Sequence, residues 1–176
     1  IIDGIIMSDQ KQKSAGPLSH VRVLDLSRVL AGPWAGQILA DLGADVIKIE
    51  APGGDPTRSI PPFYHNDGKT SLYFLHFNAS KRGITLDIGK DKGKALFKRL
   101  VESAAAVIES FPPGYLKSLG LEHERLSQLN PGLVMVSITP YGQSGPYADY
   151  KASDLTLWCM GGMAYVSGDP DRAPVW

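Results

Sequence analysis

Apolar positions along this chain repeat with two periods, and their alternation predicts the fold. Residues 21–26 read as a strand. Trp34, Ala35, Ile38, Leu39 and Leu42 then fall at helical spacing, which predicts a short amphipathic helix over 34–42. Pro33 suits its first turn and Gly43 its stop. Residues 46–50 form a second short strand. Residues 53–70, rich in glycine, proline and polar side chains, form a long loop of the kind that often carries function. Residues 72–77 fit either a helical turn or an edge strand, and residues 83–88 read as a strand. A helix is expected over 90–103, with Leu96, Phe97, Leu100 and Val101 inward and the lysines outward. Further strands are expected at 106–109 and 133–138. A short helix falls within 119–129 and ends at Asn130-Pro131, and a last helix runs over 155–166. Strands alternating with helices predict an α/β fold, Rossmann-like, with a mostly parallel sheet flanked by helices.

The remaining features narrow the class. The chain has 176 residues, enough for one core that buries about 70% of the unfolded surface. Eighteen basic residues balance eighteen acidic ones, so no nucleic-acid footprint is expected. A single cysteine, Cys159, allows no internal disulfide and points to a reducing, cytoplasmic setting. It sits in an apolar helical stretch and reads as a core thiol. No apolar run approaches the roughly 18 residues of a membrane span. Residues 1–17 read as a disordered leader, with Met7 the expected start and residues 1–6 lying upstream of it.

Candidate chemistry gathers at the predicted turns. The turn Leu30-Ala31-Gly32-Pro33 lacks the Gly-x-Gly-x-x-Gly spacing of a dinucleotide site, which disfavours NAD, yet the amino end of a helix can still receive an anion. Glu50 ends a strand before Pro52-Gly-Gly-Asp55, and Arg58 follows as either a phosphate ligand or a surface arginine. Lys81 and Arg82 beside a strand start fit phosphates and structural pairing with carboxylates equally well. His20, His65, His76 and His123 share no metal-like spacing, so no metal is expected, and only His65 and His76 lie near the long loop. Asp154 opens the last helix and reads as its N-cap, with a catalytic role the alternative that spacing leaves open.

Eight segments in order carry a resemblance. They are Leu26-Ser-Arg-Val-Leu-Ala-Gly-Pro33, Leu42-Gly-Ala-Asp-Val-Ile-Lys-Ile-Glu50, Pro52-Gly-Gly-Asp-Pro-Thr-Arg58, Asn78-Ala-Ser-Lys-Arg-Gly-Ile-Thr-Leu-Asp87, Val107-Ile-Glu-Ser-Phe-Pro-Pro-Gly114, Leu119-Gly-Leu121, Leu129-Asn-Pro131 and Ser137-Ile-Thr-Pro-Tyr-Gly-Gln-Ser-Gly-Pro146. Over residues 18–176 the chain resembles the family III CoA-transferases, as the N-terminal part of their large domain. The resemblance implies coenzyme A or acyl-CoA as substrate, touching Leu30 and Ala31, then Leu86, Asp87, Ile88 and Gly89, then Ser110, Phe111 and Pro112. Lys151, Ala152, Ser153 and Asp154 would lie near the thioester. The family often places a basic residue where this chain has Ala51, and formyl-CoA transferase has an arginine at Ser118. Arg58, Arg82 or Lys117 would compensate. The resemblance further implies exchange of CoA between an acyl-CoA and a carboxylic acid through an aspartyl anhydride and an aspartyl thioester, in an interlocked homodimer. The nucleophilic aspartate is expected beyond Trp176, so this chain alone would be inactive and would not form that dimer. An acyl-CoA racemase would carry a histidine at Ser153. The rival readings are a fragment of such a racemase and a non-enzymatic CoA- or nucleotide-binding module.

Overall fold

The computed structural model describes residues 16–173. The expected leader lies outside the described residues except for Gly16 and Pro17, and so do Pro174 to Trp176. The chain divides into two compact units, Ile1–Ile138 and Thr139–Trp176.

The first unit is a five-stranded sheet in which all four pairings are parallel. Its strands are β1 (Arg22–Asp25), β2 (Asp45–Glu50), β3 (Arg82–Thr85), β4 (Ala106–Glu109) and β5 (Val134–Ser137), in the order β3-β2-β1-β4-β5. Side chains on a strand alternate between faces, and here both faces are apolar. Val23, Val46 and Ile108 point to one side and share a core with Ala40 and Ala44. Leu24, Ile47 and Val107 point to the other and pack with Phe97, Val101, Leu121 and Leu126. A sheet buried on both faces needs a helical layer on each, which explains the near-continuous apolar runs of the central strands.

The helices of this unit are α1 (Ala31–Asp41), α2 (Leu72–Phe77), α3 (Asp91–Val101), α4 (Tyr115–Ser118) and α5 (His123–Leu129). Helix α1 starts three residues before the sequence reading, and its most deeply buried row is the one of small residues, with Ala35 and Leu39 partly buried beside it. Gly32, Pro33, Gly36 and Ala40 are buried, whereas Trp34, Ile38 and Leu42 are about half exposed. Close approach to the sheet decides this. A Cβ on Gly32 would stand 2.1 Å from the Ser27 Cβ, so only the small-residue face fits. Gly43 ends the helix as expected, at φ 101°. In α3, Phe97 and Val101 are fully buried as expected, but Leu96 is 48% exposed. Residues 72–77 are helix, capped by the Ser71 hydroxyl accepting from the Phe74 N–H. The long loop contains two single-turn 3₁₀ segments, Pro56–Ser59 and Tyr64–Asn66.

The second unit holds α6 (Asp154–Met160), shorter than the 155–166 expected because Gly161 and Gly162 follow it. Ser153, not Asp154, is its N-cap, in a reciprocal pairing with Thr156. Cys159 is exposed rather than a core thiol. No described helix is long and apolar enough to cross a membrane.

Candidate functional site

In an open parallel sheet, ligands bind where successive connections leave a strand in opposite directions, at the carboxyl ends. Here that point lies between β1 and β4, because β2 and β3 extend the sheet one way and β4 and β5 the other. A cleft of about 120 Å³ opens close to it. Leu26, Ser27 and Arg28 line it from the exit of β1. Lys48 to Ala51 and Gly54 to Pro56 line it from β2 and its turn, and Phe111 from the exit of β4.

A buried polar network underlies this cleft. Lys81 and Asp25 pair at 2.8 Å with both side chains essentially inaccessible, and Lys81 also donates to the Pro33 carbonyl and the Asn78 amide oxygen. Asp25 accepts from the Ser27 N–H and hydroxyl. Lys48 pairs with Asp55 at 2.9 Å and donates to the Ser27 carbonyl. Three elements are thereby tied together: the exit of β1, the first turn of α1 and the approach to β3. Burial pushes the Lys81 ammonium below its usual range, opposed by Asp25. Burial alone would raise Asp55, but the Thr57 hydrogen bonds and Lys48 outweigh it and hold the carboxyl low.

Glu50 takes a bidentate hydrogen bond from Arg58, both contacts at 2.7 Å, and a third from the Asp55 N–H. The Arg58 guanidinium also lies 3.8 Å from the Phe74 ring centroid. These bonds from Arg58 lower the Glu50 carboxyl and raise the guanidinium in turn.

The expected coenzyme contacts are brought together only in part. Leu30 and Ala31 open α1, exposed, at the exit of β1. Ser110, Phe111 and Pro112 follow β4, and the Ser110 hydroxyl accepts from the Arg28 N–H at 2.9 Å. Leu86 to Gly89 follow β3 at the same end of the sheet, where Asp87 accepts from the Gly89 N–H. Leu86 lines a separate, broader depression of about 500 Å³ between β3 and α3. Arg82 departs from the expectation. It opens β3 at the amino end of the sheet, bonded twice to Asp45, which Arg22 also contacts. Burial would raise Asp45, but those two arginines hold it low. Both members of the cation pair Lys81-Arg82 are paired with carboxylates, and so is Arg58. Lys117 is exposed on α4. Lys151 to Asp154 belong to the second unit. Neither His65 nor His76 lines the cleft. Among the described residues, no cluster of three or more His, Cys, Asp or Glu could hold a metal.

The sequence reading missed Arg28 as a site residue. Its guanidinium lies 5.4 Å from the Phe111 ring centroid, and Phe111 in turn packs on Tyr115 at 4.8 Å. A charged residue in the turn that follows an apolar strand was the available signal.

The model of CoA-transferase family III matches residues 18–176. The chain belongs to CoA-transferase family III. A succinate–glutarate CoA-transferase of Agrobacterium fabrum is 49% identical over 164 residues, covering 90% of this chain and 41% of that protein. A subunit of the succinyl-CoA:(R)-benzylsuccinate CoA-transferase of Thauera aromatica is 42% identical over 162 residues, covering 89% and 39%. The crystal structure of a CAIB/BAIF family protein from Brucella suis matches with a TM-score of 0.84 at 44% identity, over 92% of this chain and 43% of that one. The family III chain therefore spans about two fifths of the length of the curated relatives it matches.

Proposed function

We propose that this chain supplies the coenzyme-holding part of an acyl-CoA:carboxylate CoA-transferase. The observation that carries the reading is the cleft near the β1/β4 switch point, in a chain of this family. The relatives' names suggest succinyl-CoA and a dicarboxylic acid as the substrates to try first.

In this reading an aspartate carboxylate attacks the thioester carbonyl, the carbon–sulfur bond breaks, and CoA thiolate leaves a mixed anhydride. The thiolate then attacks the aspartyl carbonyl and expels the donor acid. The acceptor carboxylate attacks the resulting aspartyl thioester and expels CoA thiolate, giving a second mixed anhydride; the thiolate then attacks the acceptor's acyl carbonyl and frees the aspartate carboxylate. Each hard exchange becomes two easier ones. The nucleophile in this reading is none of the aspartates of the cleft. Asp25 and Asp55 are buried with their charge committed to Lys81 and Lys48. Ser153 caps α6 where α-proton transfer would call for a histidine, which favours the transferase over a racemase.

The test uses the full-length protein with succinyl-CoA and glutarate. The expected result is net CoA transfer, with an enzyme thioester trapped by hydroxylamine. Exchange of the α-proton into heavy water without CoA transfer would sink the reading. Residues 1–176 alone are expected to bind CoA weakly and not turn over. Thioester exchange by that segment would contradict its inactivity.

A further inference from the structure

The cleft presents two cations, and only one has a carboxylate. Lys48 is buried against Asp55. Glu50 and Asp55 line the β2 side with their charges paired, Glu50 by both oxygens to Arg58 and Asp55 to Lys48, and Ala51 adds no cation there. Arg28 faces them from the exit of β1, exposed, and makes no ion pair among the described residues. Its backbone is fixed, because its N–H is held by the Ser110 hydroxyl while Leu26, two residues before it, donates to the Ile108 carbonyl. Its guanidinium is steadied against Phe111. The next residue, Val29, is β-branched yet sits at φ 69°, a conformation that L-residues of this shape avoid. Strain of this kind persists where the surroundings over-determine the backbone, as at ligand clamps.

We propose that Arg28 is the anion-binding side chain of this cleft and that its ligand is a phosphate of the coenzyme. The inference rests on the coenzyme reading above. A guanidinium offers a planar fork of donors that matches an oxyanion in two places at once. Its place at the open rim, partly in water, suits a diphosphate that stays solvated better than a reacting acyl end that must be enclosed. The N-cap of α1, Leu30, lies two residues further on and has no side-chain acceptor, so backbone donors flank the same spot.

Calorimetry on the full-length protein tests this, with CoA, with succinyl-CoA, and with pantetheine as a phosphate-free probe. Arg28→Gln is expected to weaken CoA by roughly tenfold or more and Arg28→Lys by less, with pantetheine unchanged in both. The salt dependence of CoA binding should become shallower in Arg28→Gln. If Arg28→Gln binds CoA as wild type does, the proposal fails while the coenzyme reading stands. Equal weakening of CoA and pantetheine would mean that the arginine holds the fold, and this too overturns the proposal. A loss confined to succinyl-CoA would assign the acyl carboxylate instead of a phosphate. Wild-type protein that binds no CoA would remove the coenzyme reading itself.

Discussion

Single residues set the electrostatics of this site, and the two buried pairs dominate. Lys81 is the more consequential, since one ammonium satisfies Asp25, the Pro33 carbonyl and the Asn78 amide. Lys81→Met leaves Asp25 charged and without its cation in the interior, at an expected cost of about 3–5 kcal/mol in urea unfolding. Asp25→Asn added to that variant should recover part of the loss, because the stranded charge is gone. A further loss on adding it would show that the pair is not what stabilises the turn. Glu50 gives the pH counterpart. Its folded carboxyl lies below the ordinary 4.5, so the folded state holds this proton more weakly than the unfolded chain does. The stabilisation is therefore complete above about pH 4.5 and lost as pH falls through the lowered value. Glu50→Gln should flatten that part of the acid limb. The pairing itself contributes about 1 kcal/mol or less, since Arg58 is half in water. Unfolding midpoints measured through the acid range check both points. None of these pairs was legible in the sequence. Lys81 and Asp25 lie 56 residues apart, and a lysine beside a strand start looks the same whether its partner is a carboxylate or a phosphate.

At the scale of elements, α1 shows where periodicity misleads. The bulky apolar residues do fall at helical spacing, but of them only Leu39 packs on the core, and the most buried row is that of Gly32, Gly36 and Ala40. Hydrophobicity identified the helix, and residue size chose the buried face. Gly32→Ala would bring a methyl within 2.1 Å of the Ser27 Cβ and is expected to destabilise by about 2–3 kcal/mol, despite the better helix propensity of alanine. Gly83→Ala on β3 is the control. A Cβ there meets nothing within 4 Å, so its melting temperature should stay level or rise slightly. Equal losses in the two variants would remove the close-approach argument. The helix ends at Gly43 and at Asn130-Pro131 were read closely, whereas the end at Gly161-Gly162 was overrun. The short helix α4 (Tyr115–Ser118) was missed, because four residues are too few to show a period.

Over the first unit, the alternation of strand and helix was enough to foresee a parallel α/β sheet, because apolar runs at strand length need cover on both faces. The strand order was not written in any one segment, and the order is what puts the cleft near the β1/β4 switch point. The resemblance implied where a coenzyme would lie, and the structure adds which of the named cations already have a carboxylate partner. This sets the last prediction. Arg58 and Arg82 already have carboxylate partners, so their loss should lower stability more than it lowers coenzyme affinity. Arg28 should behave in the reverse way. In the full-length protein, CoA at 100 times its Kd should stabilise the fold by about 2.7 kcal/mol, seen as a rise in Tm. Arg82→Gln should lower the Tm of the free protein and keep nearly all of that rise, because its guanidinium sits at the opposite end of the strands. Arg28→Gln should keep the free Tm and lose about half of the rise at the same CoA concentration, since a tenfold weaker Kd removes about 1.4 kcal/mol. A variant set in which both arginines moved the free Tm and the CoA-induced rise together would show that the sheet does not separate structural cations from ligand-facing ones.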